Sequence, residues 1–255
     1  MADLEKLAER LDDAARHAKG IPQLSRDVEI SLDDAYEVQK RLIARRLKRG
    51  EARVGVKMGL TSRAKCLQMG ISDIIWGRLT NAMIVEDGGP LRRSSFVHPR
   101  VEPEIAFLLK SRLIGNVTPL QALSAVEAIA PAMEIIDSRY ADFKFSLTDV
   151  IADNASSSGF VTGAWHRADM DFSNLGLVMS FGGRAVQVGS TAAILGDPLR
   201  ALAAAARFAA EAGEPLQPGW IVMAGGATAA EPLVRGTWVE MEMQHLGRVA
   251  FSVQA

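Results

Sequence analysis

The chain carries one cysteine, Cys66, among 255 residues, so no internal disulfide can staple it. A reducing, cytoplasmic compartment is the expectation that follows. No histidine lies near Cys66 in sequence, which makes it a small buried hydrophobe rather than a nucleophile. Neither sign of charge is in excess: 29 Lys and Arg stand against 30 Asp and Glu. Such a balance gathers no phosphate backbone, and the arginines within 41–53 and 92–100 lack interleaved base-stacking aromatics. Nucleic acid is therefore not an expected partner. Missing too are any run of about 18 uncharged apolar residues and an apolar core near the N-terminus, so no membrane partner is expected. Internal repeats and low-complexity linkers are also absent.

What is present suffices for one large core or two modest ones, with 48% hydrophobic residues. Leu4, Leu7, Leu11 and Ala14 recur at helical spacing, predicting an amphipathic helix over 3–19 that Gly20-Ile21-Pro22 ends. Ser31 and Asp34 form a capping-box pattern for a second helix running to Gly50. From Val54 the chain turns to short strands with Gly and Pro punctuation. This divides it into a helical N-terminal part, 1–53, and a strand-rich part, 54–255. Two helices are expected to interrupt the strands. One is Thr118 to Ala130, with Leu120, Leu123 and Ala130 on its buried side, and the other is Pro198 to Ala212. Hairpins are predicted around Gly182-Gly183 and Leu246-Gly247.

Chemistry concentrates between His98 and Tyr140. Glu102 and Glu104 lie two apart in an apolar run, so in a strand they share one face, about 7 Å apart along the chain. Glu134 sits in a second apolar run that could pair alongside. Three carboxylates facing one pocket resist ionisation unless a hard divalent cation such as Mg2+ or Mn2+ lies among them. A solvated face is the commoner use of Glu-x-Glu. Pro103, which breaks a ladder at an edge or bulge, and the apolar surroundings argue for the site. Lys57, flanked by strand hydrophobes, should meet a carboxylate or an anion, or else snorkel to solvent. Arg139 follows Glu134 closely, and the polar cluster Thr148 to Ser158 suits turn hydrogen bonds or a ligand. Gly225-Gly226-Ala227-Thr228 offers close backbone approach and a hydroxyl. His17, His166 and His245 read as surface, structural or loop residues.

Taken together, several motifs resemble the hydratase and decarboxylase branch of the fumarylacetoacetate hydrolase superfamily. They are Val56-Lys57-Met58-Gly59-Leu60-Thr61-Ser62-Arg63-Ala64-Lys65, Gln68-Met69-Gly70, Trp76-Gly77, His98-Pro99 with Glu102 and Glu104, and Glu134 with Asp137-Ser138-Arg139-Tyr140 and Phe143-Lys144-Phe145. Ala152-Asp153-Asn154-Ala155-Ser156-Ser157 and Gly225-Gly226 with Thr228-Ala229-Ala230 complete the set, in order from about residue 30 to the end. Residues 20–30 have no counterpart, and Gly236-Thr237 stands where many relatives carry Gly-Asp.

The resemblance implies a mixed, strand-rich α/β fold with a distorted barrel-like sheet in the C-terminal part. It further implies a Mg2+ or Mn2+ cofactor and decarboxylation of 2-oxohex-3-enedioate in meta-cleavage degradation of aromatics. A homo-oligomer and a complex with 2-hydroxypentadienoate hydratase are implied partners. By motif position Glu102, Glu104 and Glu134 would hold the metal, Lys57 would be an active-site cation, and Ser157 and Thr228 would lie near substrate. Three glutamates exceed a divalent ion by one charge and the substrate adds two, so a guanidinium, Arg139 or Arg63, is expected beside Lys57. Rival readings are the sister 2-hydroxypenta-2,4-dienoate hydratase, a binding partner that organises that hydratase, and an acylpyruvate hydrolase using His98.

Overall fold

The structure, a computed structural model, describes residues 3–62 and 74–255. Two helices open it, α1 (Leu4–Arg16) and α2 (Leu32–Lys48). Asp3 caps α1 by accepting from the Lys6 amide, and Ser31 and Asp34 form the predicted capping box on α2. Leu7, Ala8, Leu11 and Ala14 make the buried stripe of α1. Buried Asp12 joins the two helices through ion pairs to Arg45 and Arg49.

Beyond them lie two sheets. In spatial order the larger runs β2 (Ile75–Thr80), β1 (Arg53–Gly59), β10 (Ile221–Met223), β4 (Arg100–Leu109), β5 (Val126–Ile136) and β6 (Ser157–Thr162). Two short strands join it, β11 (Glu231–Pro232) on β4 and β7 (His166–Arg167) on β5. The smaller sheet runs β3 (Pro90–Arg92), β13 (Gly247–Gln254), β12 (Trp238–Met243), β8 (Gly176–Phe181) and β9 (Arg184–Ser190). Both predicted hairpins are in it, β8–β9 and β12–β13. Among the described residues three α-helices lie between strands: α3 (Pro119–Ser124), α4 (Leu147–Ala152) and α5 (Pro198–Glu211).

Strand alternation divides the large sheet between two cores. Val101, Ile105, Phe107, Met133 and Ile135 pack toward the smaller sheet and α5, against Met179, Met241, Phe251 and Leu202. On the opposite face Ala106, Ala132, Phe160 and Met223 meet α1, α2 and α4. Glu102, Glu104 and Glu134 share the even numbering of Ala106 and Ala132, so they belong to the face covered by helices.

Three expectations need correction. The helix expected from Thr118 to Ala130 ends at Ser124, and β5 begins at Val126. Pairing of β5 with β4 along ten residue pairs outweighs the helical propensity of Ala and Glu in 126–130. Leu120, expected on the buried side, is 75% exposed. The cluster Thr148 to Ser158, read as turn hydrogen bonds or a ligand site, begins inside a helix: a Ser146/Asp149 capping box starts α4. Lastly, β4 is an interior strand rather than an edge, although Pro103 does sit where its ladder opens, between β10 and β11. Arg63, Cys66 and the motif Gln68-Met69-Gly70 lie outside the described residues.

Candidate metal centre and its cavity

Antiparallel pairing places Glu102 directly opposite Glu134, with Glu104 one pleat further along β4. Oxygens of the three carboxylates lie within 4.8 Å of one another. Like charges opposed across a ladder repel, and here water cannot screen them. Glu104 and Glu134 are fully buried and Glu102 is half-buried. Burial, followed by repulsion from Glu134 and Glu102, pushes the Glu104 carboxyl well above the ordinary glutamate range. Burial also raises Glu134, against the pull of Lys57, whose ammonium nitrogen is 3.1 Å from Glu134 Oε2. The predicted partner of Lys57 is thus a carboxylate, Glu134.

The gap in the β4 ladder is filled by the turn after β10. Ala224 and Ala227 donate to the carbonyls of Ile105 and Pro103, bracketing the site. Within the turn the Gly225 amide donates to Glu104 Oε2 at 2.8 Å. Gly225 has φ of 106°, and a Cβ there would fall 2.2 Å from Thr61 Oγ1. At Gly226 a Cβ would meet Glu102 Oε2 at 2.5 Å. Two glycines are needed because Glu102 and Thr61 occupy the space side chains would take.

The donor set fits a hard divalent cation. Glu104 Oε1 and Glu134 Oε1 are buried without a hydrogen-bond partner, an expensive state for a carboxylate oxygen that ion coordination relieves. All three donors are oxygens, the preference of Mg2+ and Mn2+ over softer metals.

Above the acids opens a cavity of about 340 Å³. Lys57, Thr61, Glu102, Ser156 and Gly226 form its polar part; Ile75, Ile136, Phe143, Phe145, Leu147 and Val150 form an apolar wall. Arg100 also lines it, two residues before Glu102 on the same face of β4. Its guanidinium lies 4.2 Å from the centre of the Phe143 ring.

The remaining predicted residues are placed differently. Arg139 is committed to a buried ion pair with Asp153, with further bonds to the Ser158 hydroxyl and the Asp153 carbonyl. It lines a second cavity, beside α1 and α2, instead of the one over the glutamates. Ser157 borders that second cavity too; its buried hydroxyl favours the charged form of Glu134 without a hydrogen bond of good geometry. Thr228 packs its methyl toward Gly189 of β9, while its neighbours Gly226, Ala229 and Ala230 line the glutamate cavity. His98 is half-buried against Phe143. His166 bonds the Leu246 carbonyl, a structural role.

Sequence reading missed Arg100 and held Ser156 only as one member of the polar cluster Thr148 to Ser158. Ser156 ends a run of three left-handed residues, Asn154, Ala155 and Ser156, with φ of 53°, 51° and 60°. Asn154 pins that run by exchanging hydrogen bonds with the backbone of Arg78 in β2. The signal for Arg100 was its even spacing with Glu102 and Glu104.

A model of the fumarylacetoacetate hydrolase C-terminal domain matches residues 55–254, which include every strand of both sheets except the first two residues of β1. The chain belongs to the fumarylacetoacetate hydrolase family. Within this family it is 61% identical to a 4-oxalocrotonate decarboxylase of a Pseudomonas species, over 98% of this chain and 97% of that one. A 2-hydroxyhexa-2,4-dienoate hydratase of Comamonas testosteroni is 33% identical, covering 96% and 95%. Among solved structures, the 4-oxalocrotonate decarboxylase of Pseudomonas putida G7, complexed with magnesium and adipate, superposes with a TM-score of 0.95. It is 38% identical and covers 98% of this chain and 97% of its own. The mixed, strand-rich fold expected from the resemblance is the family's.

Proposed function

We propose that the protein is a metal-dependent carboxy-lyase that converts 2-oxohex-3-enedioate to 2-hydroxypenta-2,4-dienoate and CO2. The observation that carries this reading is the pair of unpartnered, fully buried oxygens on Glu104 and Glu134, grouped with Glu102 under a cavity. The relatives named 4-oxalocrotonate decarboxylase, one holding magnesium and a six-carbon dicarboxylate, support it.

In this reading Glu102, Glu104 and Glu134 hold a Mg2+ or Mn2+ ion. When bound, the ion supplies Lewis acidity at the 2-oxo oxygen, where the electrons of the breaking bond collect. The substrate is a vinylogous β-keto acid. Its C5–C6 electron pair becomes the C4=C5 bond, the C3=C4 π pair moves to C2=C3, and the C2=O π pair moves onto oxygen. Lys57, held by Glu134, is the proton donor to that oxygen, yielding the enol. The apolar wall of Phe143, Phe145, Leu147 and Val150 excludes water from the carbon skeleton, which favours loss of CO2 over addition of water. No nucleophile or organic cofactor is required, because the substrate's own carbonyl is the electron sink.

No helix of the described residues is long and apolar enough to cross a membrane. A cytoplasmic location, a homo-oligomer, association with a 2-hydroxypentadienoate hydratase and a place in meta-cleavage catabolism complete the proposal.

Incubation of the purified protein and Mg2+ with 2-oxohex-3-enedioate, with trapping of released CO2, tests the activity. Release above the blank is expected and should disappear with a chelator. No release, with hydration of 2-hydroxypenta-2,4-dienoate instead, assigns the chain to the hydratases.

A further inference from the structure

Among the described residues lining the glutamate cavity, Lys57 and Arg100 are the cations, and Lys57 already answers Glu134. Arg100 has no carboxylate or hydrogen-bond partner for its guanidinium among the described residues; its recorded contact is the face of Phe143. A guanidinium stacked on a ring keeps its in-plane N–H donors available, and the stacking limits the orientations it can take. Phe143 itself is held in an unusual place: with Asp142 it forms two successive left-handed residues, φ of 59° and 56°. Keeping two residues there is costly for non-glycine side chains, so the surrounding contacts over-determine the turn. Phe145 packs edge-on against Phe143, with ring centres 5.4 Å apart.

We propose that Arg100, steadied by Phe143, is the specificity-determining residue that captures the distal carboxylate of a dicarboxylate whose oxo-acid end faces the three glutamates. The proposal rests on the decarboxylase reading only for naming that distal group as the one that leaves. Placement agrees with it. Arg100 lies about 7 Å along β4 from Glu102, two strand residues, a span suited to a six-carbon diacid. Charge agrees as well: among the described residues, three glutamates, a divalent ion and Lys57 sum to zero. Among the described residues lining the largely apolar cavity, Arg100 is the cation left to answer an entering dianion.

Physical chemistry fixes what Arg100 contributes. A hydrogen bond from arginine to the departing carboxylate is strongest in the ground state and fades as that group becomes neutral CO2. Such a contact favours capture and selection, and it does not accelerate bond breaking. Arg100→Met is thus expected to raise KM about 10- to 100-fold, the worth of a charge-assisted hydrogen bond, with kcat not lowered.

The test uses the full chain loaded with Mg2+ and titrated calorimetrically with adipate and with hexanoate, which match in length and differ by one carboxylate. Wild type should prefer adipate by about 10- to 100-fold. Arg100→Met should abolish that preference while hexanoate binds as before, which also shows the folded metal site intact. Arg100→Lys should retain part of the preference as a point charge, and Phe143→Leu should reduce it with Arg100 in place. Equal binding of the two ligands by wild type overturns the assignment, as does a preference that survives Arg100→Met, or a fall in kcat with KM unchanged. Should CO2 release be absent while the adipate preference still depends on Arg100, the decarboxylase reading fails and the dicarboxylate site stands.

Discussion

Two buried acidic clusters, one on β5 at Glu134 and one just beyond its end at Arg139 and Asp153, differ in their arithmetic. At Asp153 one carboxylate meets one guanidinium: Arg139 donates from both its backbone amide and its side chain. Even so, burial holds the Asp153 carboxyl up at about 7, with Arg139 pulling it down. At the other cluster three carboxylates crowd together, Lys57 pairs with Glu134, and Glu104 is pushed well above its ordinary range. Glu214 supplies a third case. Burial raises it, but Arg78 and Arg53 together hold it down to about 2. Cations per acid, rather than burial alone, decide whether a carboxylate is at ease. One guanidinium does not offset the desolvation of Asp153, and Glu104, buried beside two further carboxylates, is held higher still above its ordinary range.

That contrast breaks first at Glu104. Glu104→Gln should cut turnover about a thousandfold or more and abolish the rise in thermal midpoint that Mg2+ produces. The metal-free midpoint should stay level or increase, because an uncomfortable carboxyl becomes a neutral amide. Unchanged CO2 release would remove the metal role. Arg139→Met should act in the opposite sense. Stranding Asp153 without its counter-charge should cost about 3–5 kcal/mol of stability, read from urea unfolding, while Mg2+ still raises the midpoint. Loss of the Mg2+ response with stability intact would place Arg139 in the site after all.

The smallest effect is one of pH. Asp153 binds a proton in the fold up to about pH 7 and in the unfolded chain only near 3.8. Between those values the native state holds more protons, so this group's contribution to stability falls as pH rises through that window. The unfolding free energy of wild type, measured relative to Asp153→Asn, should therefore decline from pH 4 to pH 7. A rise over the same interval would mean that pairing with Arg139 outweighs burial.

How much of this was legible in the sequence depended on the range of the interaction. Capping boxes at Ser31 and hairpins at Gly182-Gly183 and Leu246-Gly247 are local, and the structure has them where spacing put them. The Glu-x-Glu pair needed only the two-residue period of a strand. Segment 126–130 misled because Val-Glu-Ala-Ile-Ala suits a helix by propensity, and its true partner, β4, lies in a different stretch of chain. Arg139 is near Glu134 in sequence, but β5 ends at Ile136 and the chain beyond it is tied by Asp137, whose carboxylate accepts from the Val97 and His98 amides. Arg100 could not be chosen over its neighbours without Phe143, which reaches it from beyond the end of β5.

The two glycines at 225 and 226 have a consequence for anyone transplanting this centre. Copying the three acids onto another pair of strands would carry the ligands without the space they stand in. A host would also need a gap in its own ladder, crossed by a segment bare enough to let carboxylates lean over it. The portable unit is a pair of strands together with the hole beside them.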